Sequence, residues 1–93
     1  MRIEFDPAKD AINRREHEGL SLAVAEEFTA DALVVPTYSG SDRVRYKMID
    51  VTSEGLLAAI VTPRHDKMRI ISLRYANRKE RKLYADKIRT TER

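Results

Sequence analysis

The residues with the clearest chemical potential are basic, and they cluster between Met68 and Tyr84. Arg74 lies in a predicted strand, and four more cations occupy the first turns of the helix predicted after it: Arg78, Lys79, Arg81 and Lys82. The N-terminal end of a helix dipole favours anions, so cations placed there destabilise the helix unless an anion binds nearby. This conflict between local electrostatics and sequence indicates a surface that binds a polyanion.

The distribution of charge along the chain favours the same interpretation. The 93 residues have a net charge of +3, but residues 1–63 carry 7 Lys and Arg against 11 Asp and Glu, whereas residues 64–93 carry 11 against 4. A basic C-terminal third joined to an acidic remainder is typical of a protein that faces nucleic acid on one side. The alternative is a solvated basic helix. Against it, four cations fall in or beside a predicted strand: Arg64, Arg69, Arg74 and Arg78.

Composition excludes several classes of protein and site. The chain has no cysteine, which rules out disulfides and thiolate metal sites. No apolar run approaches the roughly 20 residues of a transmembrane helix, and the first ten residues do not form a signal peptide. His, Asp and Glu show no clustered pattern for a metal. We therefore expect one cytoplasmic domain spanning residues 1–93, without a membrane anchor, metal or cofactor.

Local signals predict the elements that hold the basic residues. A short strand at 2–5 precedes a helix that Asp6 caps, that Pro7 opens and that ends near His17. Ser21 caps a second short helix over residues 22–28. Four strands and a last helix follow, and the strands span residues 33–38, 43–51, 56–61 and 68–75. Their short connections imply an antiparallel meander that the helices cover on its apolar face, which predicts an α+β fold.

Patterns within the strands refine this prediction. Pro36 makes the first of the four an edge strand or a broken one. In the second, three cations alternate with apolar residues, so one face of that strand is wet or binds something: Arg43, Arg45 and Lys47. In the fourth, strict alternation predicts one face that carries Met68, Ile70, Ser72 and Arg74, and an opposite face that carries Arg69, Ile71, Leu73 and Tyr75.

Four segments of the chain resemble a known family when they are taken together. They are EFDPAK from Glu4, the helix–break–helix that ends at Phe28, IVTPR at residues 60–64, and RIISLRYANRKERKLY at residues 69–84. This combination resembles the BrnT toxins, the ribonuclease components of BrnT–BrnA type II toxin–antitoxin pairs. The resemblance implies a RelE-like α+β fold, with an antiparallel four-stranded meander, two N-terminal helices and one C-terminal helix.

The sequence departs from the family pattern in two places. At the helix break the family usually reads Lys-His-Gly-Val-Ser-Phe, whereas this chain has one extra residue between Glu16 and Leu22. This insertion can shift His17, so we assign His17 no role. The family also often has a glycine where this chain has Asp50. Neither departure touches the basic C-terminal segment.

The resemblance implies an endoribonuclease whose catalysis rests on arginine and lysine, with a tyrosine or glutamate. Arg64 and Arg74 are the first candidates to stabilise charge on the phosphate, because the planar fork of arginine matches two phosphate oxygens. Further residues are predicted to contact RNA: Lys9, Arg69, Ser72, Arg78 and Arg81. Arg74 has a structural alternative, in which it pairs with a carboxylate such as Glu80 and supports the fold.

Glu80 and Tyr84 complete the predicted catalytic set, and each has a second interpretation. They lie four residues apart, on one face of the last helix. Glu80 is either a general base or the partner of Asn77 in a capping box. Tyr84 either donates to the leaving oxygen, or stacks on a base, or belongs to the core. His65, in a turn after Arg64, can titrate near neutral pH, but an exposed histidine without a role is the simpler interpretation.

The leading functional hypothesis is a metal-independent endoribonuclease toxin that inhibits translation. The resemblance implies a BrnA-like ribbon-helix-helix antitoxin as partner, in a heterotetramer that contacts operator DNA only through the antitoxin. One alternative is a non-catalytic nucleic-acid-binding module, or an inactive toxin, with the same basic surface. Another is a protein-interaction domain whose cations meet an acidic partner.

Overall fold

The computed structural model describes residues 1–37 and 44–91. Within them the sheet has five strands, β1 (Ile3–Glu4), β2 (Leu33–Thr37), β3 (Arg45–Thr52), β4 (Gly55–Arg64) and β5 (Lys67–Tyr75). The same residues form two α-helices, α1 (Pro7–Glu16) and α2 (Arg78–Thr91), and a 3₁₀ helix at Leu22–Glu27. Tyr38 and Arg43, both predicted in strands, lie outside the described residues. No described helix is long and apolar enough to cross a bilayer.

The prediction of a four-stranded antiparallel meander is wrong in its number of strands. β2 to β5 run antiparallel to their neighbours, as expected. However, β1 pairs in parallel with β5, so the described sheet is mixed and has the order β1-β5-β4-β3-β2. Ile3 lies beside Met68, and Met68 N donates to Arg2 O at 3.0 Å. A strand of two residues carries too little pattern to reveal its partner in the sequence.

The caps predicted for the N-terminal helices are present. Asp6 accepts a hydrogen bond from Ala8 N at 2.8 Å, and Ser21 Oγ accepts one from Ala23 N at 3.1 Å. The second predicted helix, however, is a 3₁₀ helix of six residues. The described chain therefore has two α-helices rather than three, because short connectors of this length often adopt the tighter 3₁₀ geometry.

The two faces of the sheet bury different clusters of side chains. The larger cluster packs under the 3₁₀ helix and contains Leu20, Leu22, Ala25, Phe28, Ala32, Met48, Leu57, Ala59, Val61, Ile70 and Leu73. The smaller cluster lies on the opposite face, where α2 packs, and contains Ile49, Ala58, Ala76 and Tyr84. Register and alternation place half-buried polar side chains on this second face, and we call it the basic face after four of them: Lys47, Arg69, Ser72 and Arg74.

A β-bulge in β5 interrupts the alternation that the sequence predicts. Ile60 pairs with Ser72, but Val61 pairs with Ile70, so Ile71 has no partner in β4. A bulge of this kind adds one residue to a strand and reverses the facing of every side chain beyond it.

The bulge determines which side chains reach the basic face. Ile70 and Leu73 both enter the larger cluster, although strict alternation would place them on opposite faces. The predicted grouping of Ile70 with Ser72 and Arg74 is therefore wrong. Arg69, which was predicted to point away from Arg74, shares its face instead.

Asn13 closes the part of the β5 edge that β1 does not cover. Its side-chain Nδ2 donates to Leu73 O at 2.8 Å and to Leu20 O at 3.0 Å, while its Oδ1 accepts from Leu73 N at 3.1 Å. The side-chain amide thus pairs with Leu73 as a neighbouring strand would. Asn13 is only 4% exposed, so water cannot replace these bonds.

Removing this amide should destabilise the fold. In Asn13→Ala, three buried backbone groups lose their partner, and each unsatisfied group costs about 1–3 kcal/mol. We expect the free energy of unfolding to fall by about 2–4 kcal/mol in urea denaturation. Ile12→Ala is the matched control on the same helix, since Ile12 is 42% exposed and its loss should change stability by less than about 0.5 kcal/mol. Equal effects of the two substitutions would contradict the edge-closing role.

Candidate nucleic-acid interface

The polar side chains of the basic face lie in neighbouring rows across the sheet. Lys47 pairs with Ile60, and Ile60 pairs with Ser72, so Lys47 and Ser72 share a row. Arg74 lies in the next row on one side, and Arg69 lies in the next row on the other side. Rows on one face of a sheet are about 7 Å apart. Three cations from two strands therefore border one half-buried serine.

The carboxylate of Glu80 joins two of these rows. Arg74 donates from Nη1 to Oε1 at 2.6 Å and from Nη2 to Oε2 at 2.7 Å, and Lys47 Nζ lies 2.8 Å from Oε2. Asn77 N donates to Oε1 at 2.9 Å, and Glu80 N donates to Asn77 Oδ1 at 2.9 Å. This reciprocal pair is the predicted capping box at the start of α2. Because the Glu80 side chain is 1% exposed, these donors stabilise its charge in place of water.

The contacts of Glu80 conflict with a role as general base. The hydrogen bonds from Arg74, followed by those from Lys47 and Asn77, lower the pKa of the Glu80 carboxyl to about 2, although burial opposes the shift. A carboxylate of such low basicity is a poor proton acceptor near neutral pH. Its oxygens are also occupied and buried. Glu80 therefore fills the capping-box role, the second of its two interpretations.

Arg74 is not a free surface cation. Its two hydrogen bonds to Glu80 form a bidentate ion pair, and the same bonds raise the pKa of its guanidinium. We therefore expect the loss of Arg74 to lower the stability of the fold. The contact assumed by the structural alternative is present, while the Arg74 side chain remains 34% exposed and accessible to a ligand.

Tyr84 occupies the core rather than an open site. It is 9% exposed and belongs to the smaller cluster, and its hydroxyl donates to Asp50 Oδ1 at 3.1 Å. Burial and this bond raise the pKa of the Tyr84 hydroxyl.

Asp50 replaces a glycine that is common in the family this chain resembles. It also accepts hydrogen bonds from Thr29 N at 2.8 Å and Thr29 Oγ1 at 3.0 Å. The Asp50 carboxylate thus ties α2 to the segment that follows the 3₁₀ helix, and a donor role for Tyr84 would require breaking this contact.

Arg64 and Arg69 come together in a second part of the interface. Both line a cleft of about 570 Å³, and the other residues around it are Val44, Tyr46, Thr62 and Pro63. Arg64 is exposed, whereas Arg69 Nη1 lies 3.6 Å from Glu4 Oε2. The cleft therefore contains one guanidinium without a carboxylate partner among the described residues and one that a half-buried carboxylate partly neutralises.

The remaining predicted RNA contacts lie on the helices. Arg78 and Arg81 are exposed in the first turns of α2, and Arg81 Nε donates to Ala76 O at 3.2 Å. Lys9 is exposed near the start of α1, the helix that covers the β5 edge. Lys9 is not among the residues that line the cleft of Arg64 or the cleft of Arg74.

Two residues near Arg74 have no role in the sequence-based prediction. Lys47 contacts Glu80 as described above, and the alternation of cations in its strand was the available signal. His17 is half-buried and lines a cleft of about 280 Å³ together with Arg74, Tyr75 and the two flanking glutamates, Glu16 and Glu18. No local signal in the sequence could reveal this proximity, because 57 positions separate His17 from Arg74. Across residues 1–37 and 44–91, no three His, Asp or Glu side chains form a group that could hold a metal.

Comparisons with known proteins identify a matching family and a similar structure. A sequence model of the family described as ribonuclease toxin BrnT of type II toxin–antitoxin systems matches residues 5–80. The crystal structure of the ribonuclease toxin BrnT from Brucella abortus is similar to this chain, with 28% sequence identity and a TM-score of 0.67. The match covers 84% of this chain and 99% of that one. No curated protein sequence matches the chain. The family match includes Lys47, Arg64, Arg74 and Glu80 but ends before Arg81 and Tyr84.

The low pKa of Glu80 predicts a defined pH dependence of stability. Its folded value of about 2 lies below the ordinary value of 4.5, so its contribution is complete above about pH 4.5 and is lost as the pH falls toward 2. Glu80→Gln should lower the free energy of unfolding by about 2–3 kcal/mol at pH 7. This loss is smaller than the loss expected for a fully buried ion pair. The side chains of Arg74 and Lys47 are 34% and 27% exposed, so water can hydrate their charges when Glu80 is replaced.

The measurement is urea denaturation of wild type and Glu80→Gln between pH 7 and pH 2. The gap between the two free energies of unfolding should narrow below pH 4.5, where Glu80 of the unfolded wild-type chain takes up a proton while folded Glu80 stays ionised. Taking the difference removes the contributions of other carboxyl groups with lowered pKa values, such as Asp10 and Glu27. A gap that stays constant down to pH 2 would show that Glu80 does not carry the ion pairs.

Proposed function

The chain belongs to the BrnT family of ribonuclease toxins from type II toxin–antitoxin systems, and from that membership we propose that it is an endoribonuclease that cleaves RNA on its basic face. The observation that supports this most directly is the convergence of Lys47, Arg69 and Arg74 on one face of the sheet. Two carboxylates, Glu80 and Glu4, pair with these three cations, so the face keeps a net positive charge.

The proposed reaction is attack of an RNA 2′-hydroxyl on the adjacent phosphate. The 2′-oxygen forms a bond to phosphorus, the bond to the 5′-oxygen breaks, and negative charge gathers on the non-bridging oxygens. Arg74 is proposed to stabilise that charge, since preorganised cations act most strongly where charge develops. Arg64 lies six residues along β4 from Ala58, the partner of Arg74, which is roughly 20 Å away, so it is proposed to bind a neighbouring phosphate. Arg69, Ser72, Arg78, Arg81 and Lys9 are proposed to hold the RNA backbone through its phosphates.

Proton transfer requires a further group, and His17 is the best-placed candidate. It lines the cleft beside Arg74, and imidazole exchanges protons near neutral pH. We propose that His17 accepts the proton of the attacking 2′-hydroxyl and that the leaving 5′-oxygen takes its proton from water. Glu80 then acts by holding Arg74, and Tyr84 acts by supporting the fold, since both side chains are buried.

The biological role follows from the family by inference. We propose that RNA cleavage inhibits translation in the cytoplasm and that a BrnA-like ribbon-helix-helix antitoxin neutralises it, in a heterotetramer that binds operator DNA through the antitoxin. Metal independence and kinship to the RelE fold are part of the same proposal. An inactive toxin that only binds nucleic acid is the second candidate, and the burial of Glu80 and Tyr84 favours it, because it removes two of the four predicted catalytic groups.

Cleavage of RNA by the purified protein tests the function directly. We expect cleavage in excess EDTA with 2′,3′-cyclic phosphate or 3′-phosphate ends, because the proposed chemistry uses only side chains of this chain. Binding to RNA should weaken steeply with salt, by close to one unit of log–log slope for each phosphate contact. RNA binding without cleavage would support the inactive toxin. Loss of cleavage in EDTA, restored by a divalent ion, would refute the metal-independent reaction.

The role of His17 is tested by the same substitution at both histidines. His17→Asn should slow cleavage by roughly 10²–10⁴-fold, the usual contribution of a general base. His65→Asn is the control, since His65 is exposed in the β4–β5 turn with φ 58, a backbone conformation that asparagine tolerates. The two variants should melt within a few degrees of wild type. Equal cleavage rates in both would exclude His17 and leave Glu16 or Glu18 as the candidate proton acceptor.

A further inference from the structure

We propose that Lys47 contacts the same RNA phosphate as Arg74, and that the buried carboxylate of Glu80 is the residue that positions both cations. This inference rests on the proposed function, because it names additional parts of the same site. Lys47 lies on β3 and Arg74 on β5, so β4 separates their backbones by two strand spacings, roughly 10 Å.

The two charged groups converge despite this separation. Lys47 Nζ lies 2.8 Å from Glu80 Oε2, and Arg74 Nη2 lies 2.7 Å from the same oxygen. The two nitrogens can therefore be no farther apart than the sum of these distances. That spacing suits one phosphate, whose non-bridging oxygens can each accept from a different cation.

Both cations keep hydrogen-bond donors for a ligand. A guanidinium has five N–H donors and an ammonium has three. In Arg74, Nη1 donates to Glu80 and, at 3.4 Å, to Tyr75 O, and Nη2 donates to Glu80. The Nε–H and the second Nη2–H, which form the other bidentate edge of the guanidinium, have no protein acceptor within the described residues. Lys47 uses one N–H on Glu80, so two remain.

Charge at this point also favours an anionic ligand. Two cations meet one carboxylate, so the group has a net charge of +1, and Lys47 and Arg74 are still 27% and 34% exposed. Ion pairs that are largely buried contribute little to stability, because the lost hydration of the charges offsets their attraction. A second cation on a carboxylate that Arg74 already binds at both oxygens is therefore poorly explained by stability alone.

Glu80 acts as a positioning residue in this arrangement. The capping box fixes its backbone and one oxygen at the first turn of α2, so the carboxylate cannot rotate to follow the cations. Arg74 and Lys47 instead adopt the places that the carboxylate sets. When the 2′-oxygen attacks and the bond to the 5′-oxygen breaks, charge on the non-bridging oxygens meets donors that are already oriented. Lys47 transfers no proton in this step.

The experiment compares Lys47→Gln with Lys67→Gln. Glutamine retains an N–H for Glu80 but removes the charge, and Lys67 is an exposed lysine at the start of β5, outside the described contacts of Glu80. The binding probe is a single-stranded 2′-O-methyl RNA oligonucleotide, which cannot be cleaved. We expect Lys47→Gln to lower the salt slope of binding by about 0.7 and to slow cleavage of unmodified RNA by roughly 10²-fold. Lys67→Gln should change cleavage less than about twofold, and Lys47→Arg, which keeps the charge, should recover most of the activity.

The positioning role has its own readout. In Glu80→Gln, Arg74 and Lys47 remain but lose their alignment, so kcat should fall while KM for RNA changes little. A rise in KM with kcat unchanged would overturn the positioning role. All assays are made at a temperature where circular dichroism shows each variant folded.

The outcomes separate this inference from the proposed function. If wild type cleaves RNA and Lys47→Gln behaves like Lys67→Gln in slope and rate, the shared phosphate contact is refuted while the ribonuclease function stands. If wild type does not cleave RNA but Lys47→Gln still loses salt slope on the 2′-O-methyl probe, the ribonuclease function fails while the phosphate contact stands.

Discussion

The carboxylate of Glu80 is the point on which this structure depends. It begins α2 through the capping box with Asn77, and it holds Arg74 from β5 and Lys47 from β3. A buried charge must have partners, because leaving it unpaired costs several kcal/mol. The position of α2 on the sheet and the orientation of two cations are therefore fixed together. A change at any member of this group alters both the fold and the basic face, which is why stability and RNA binding must be measured separately for each variant.

The β-bulge at Ile71 is the second constraint on the site. β5 has to bury Ile70 in the larger cluster and still present Arg74 on the opposite face. With strict alternation, residues separated by an even number share a face, so Ile70 and Arg74 would point the same way. The extra residue removes this conflict, and it also brings Arg69 to the face of Arg74. The cation pattern of the interface is thus a consequence of one irregularity in strand pairing.

The sequence predicted those features that depend on near neighbours. The caps at Asp6, Ser21 and Asn77 and the edge position of Pro36 were correct, because each signal lies within about four residues of its effect. Features that depend on distant residues were missed. The parallel partner of β1, the closure of the β5 edge by Asn13 and the pair of Lys47 with Glu80 join residues 33 to 65 positions apart. The bulge was missed for a different reason, since no glycine marks it.

In the site, too, features set by near neighbours were predicted and features set by distant residues were missed. Ser72 and Arg74 were correctly placed on one face, because no irregularity lies between them, whereas Arg69 was misplaced by the bulge. Glu80 and Tyr84 were correctly paired on one face of α2, yet sequence could not decide between a catalytic and a structural role. That choice depends on burial and on the partners Arg74, Lys47 and Asp50, which only the assembled fold brings together.

The structure does not remove the unfavourable placement of cations at the positive end of the α2 dipole. Glu80 lies in the first turn, where an anion stabilises the helix dipole. However, Arg74 and Lys47 already neutralise it, so it does little to offset the neighbouring cations. Within the described residues, no carboxylate pairs with Arg78 or Lys79. The helix therefore retains uncompensated positive charge at its positive end, and an anion from outside the chain would relieve it. On the proposed function RNA phosphate is that anion, and an antitoxin that shields these cations would necessarily compete with RNA for the same face.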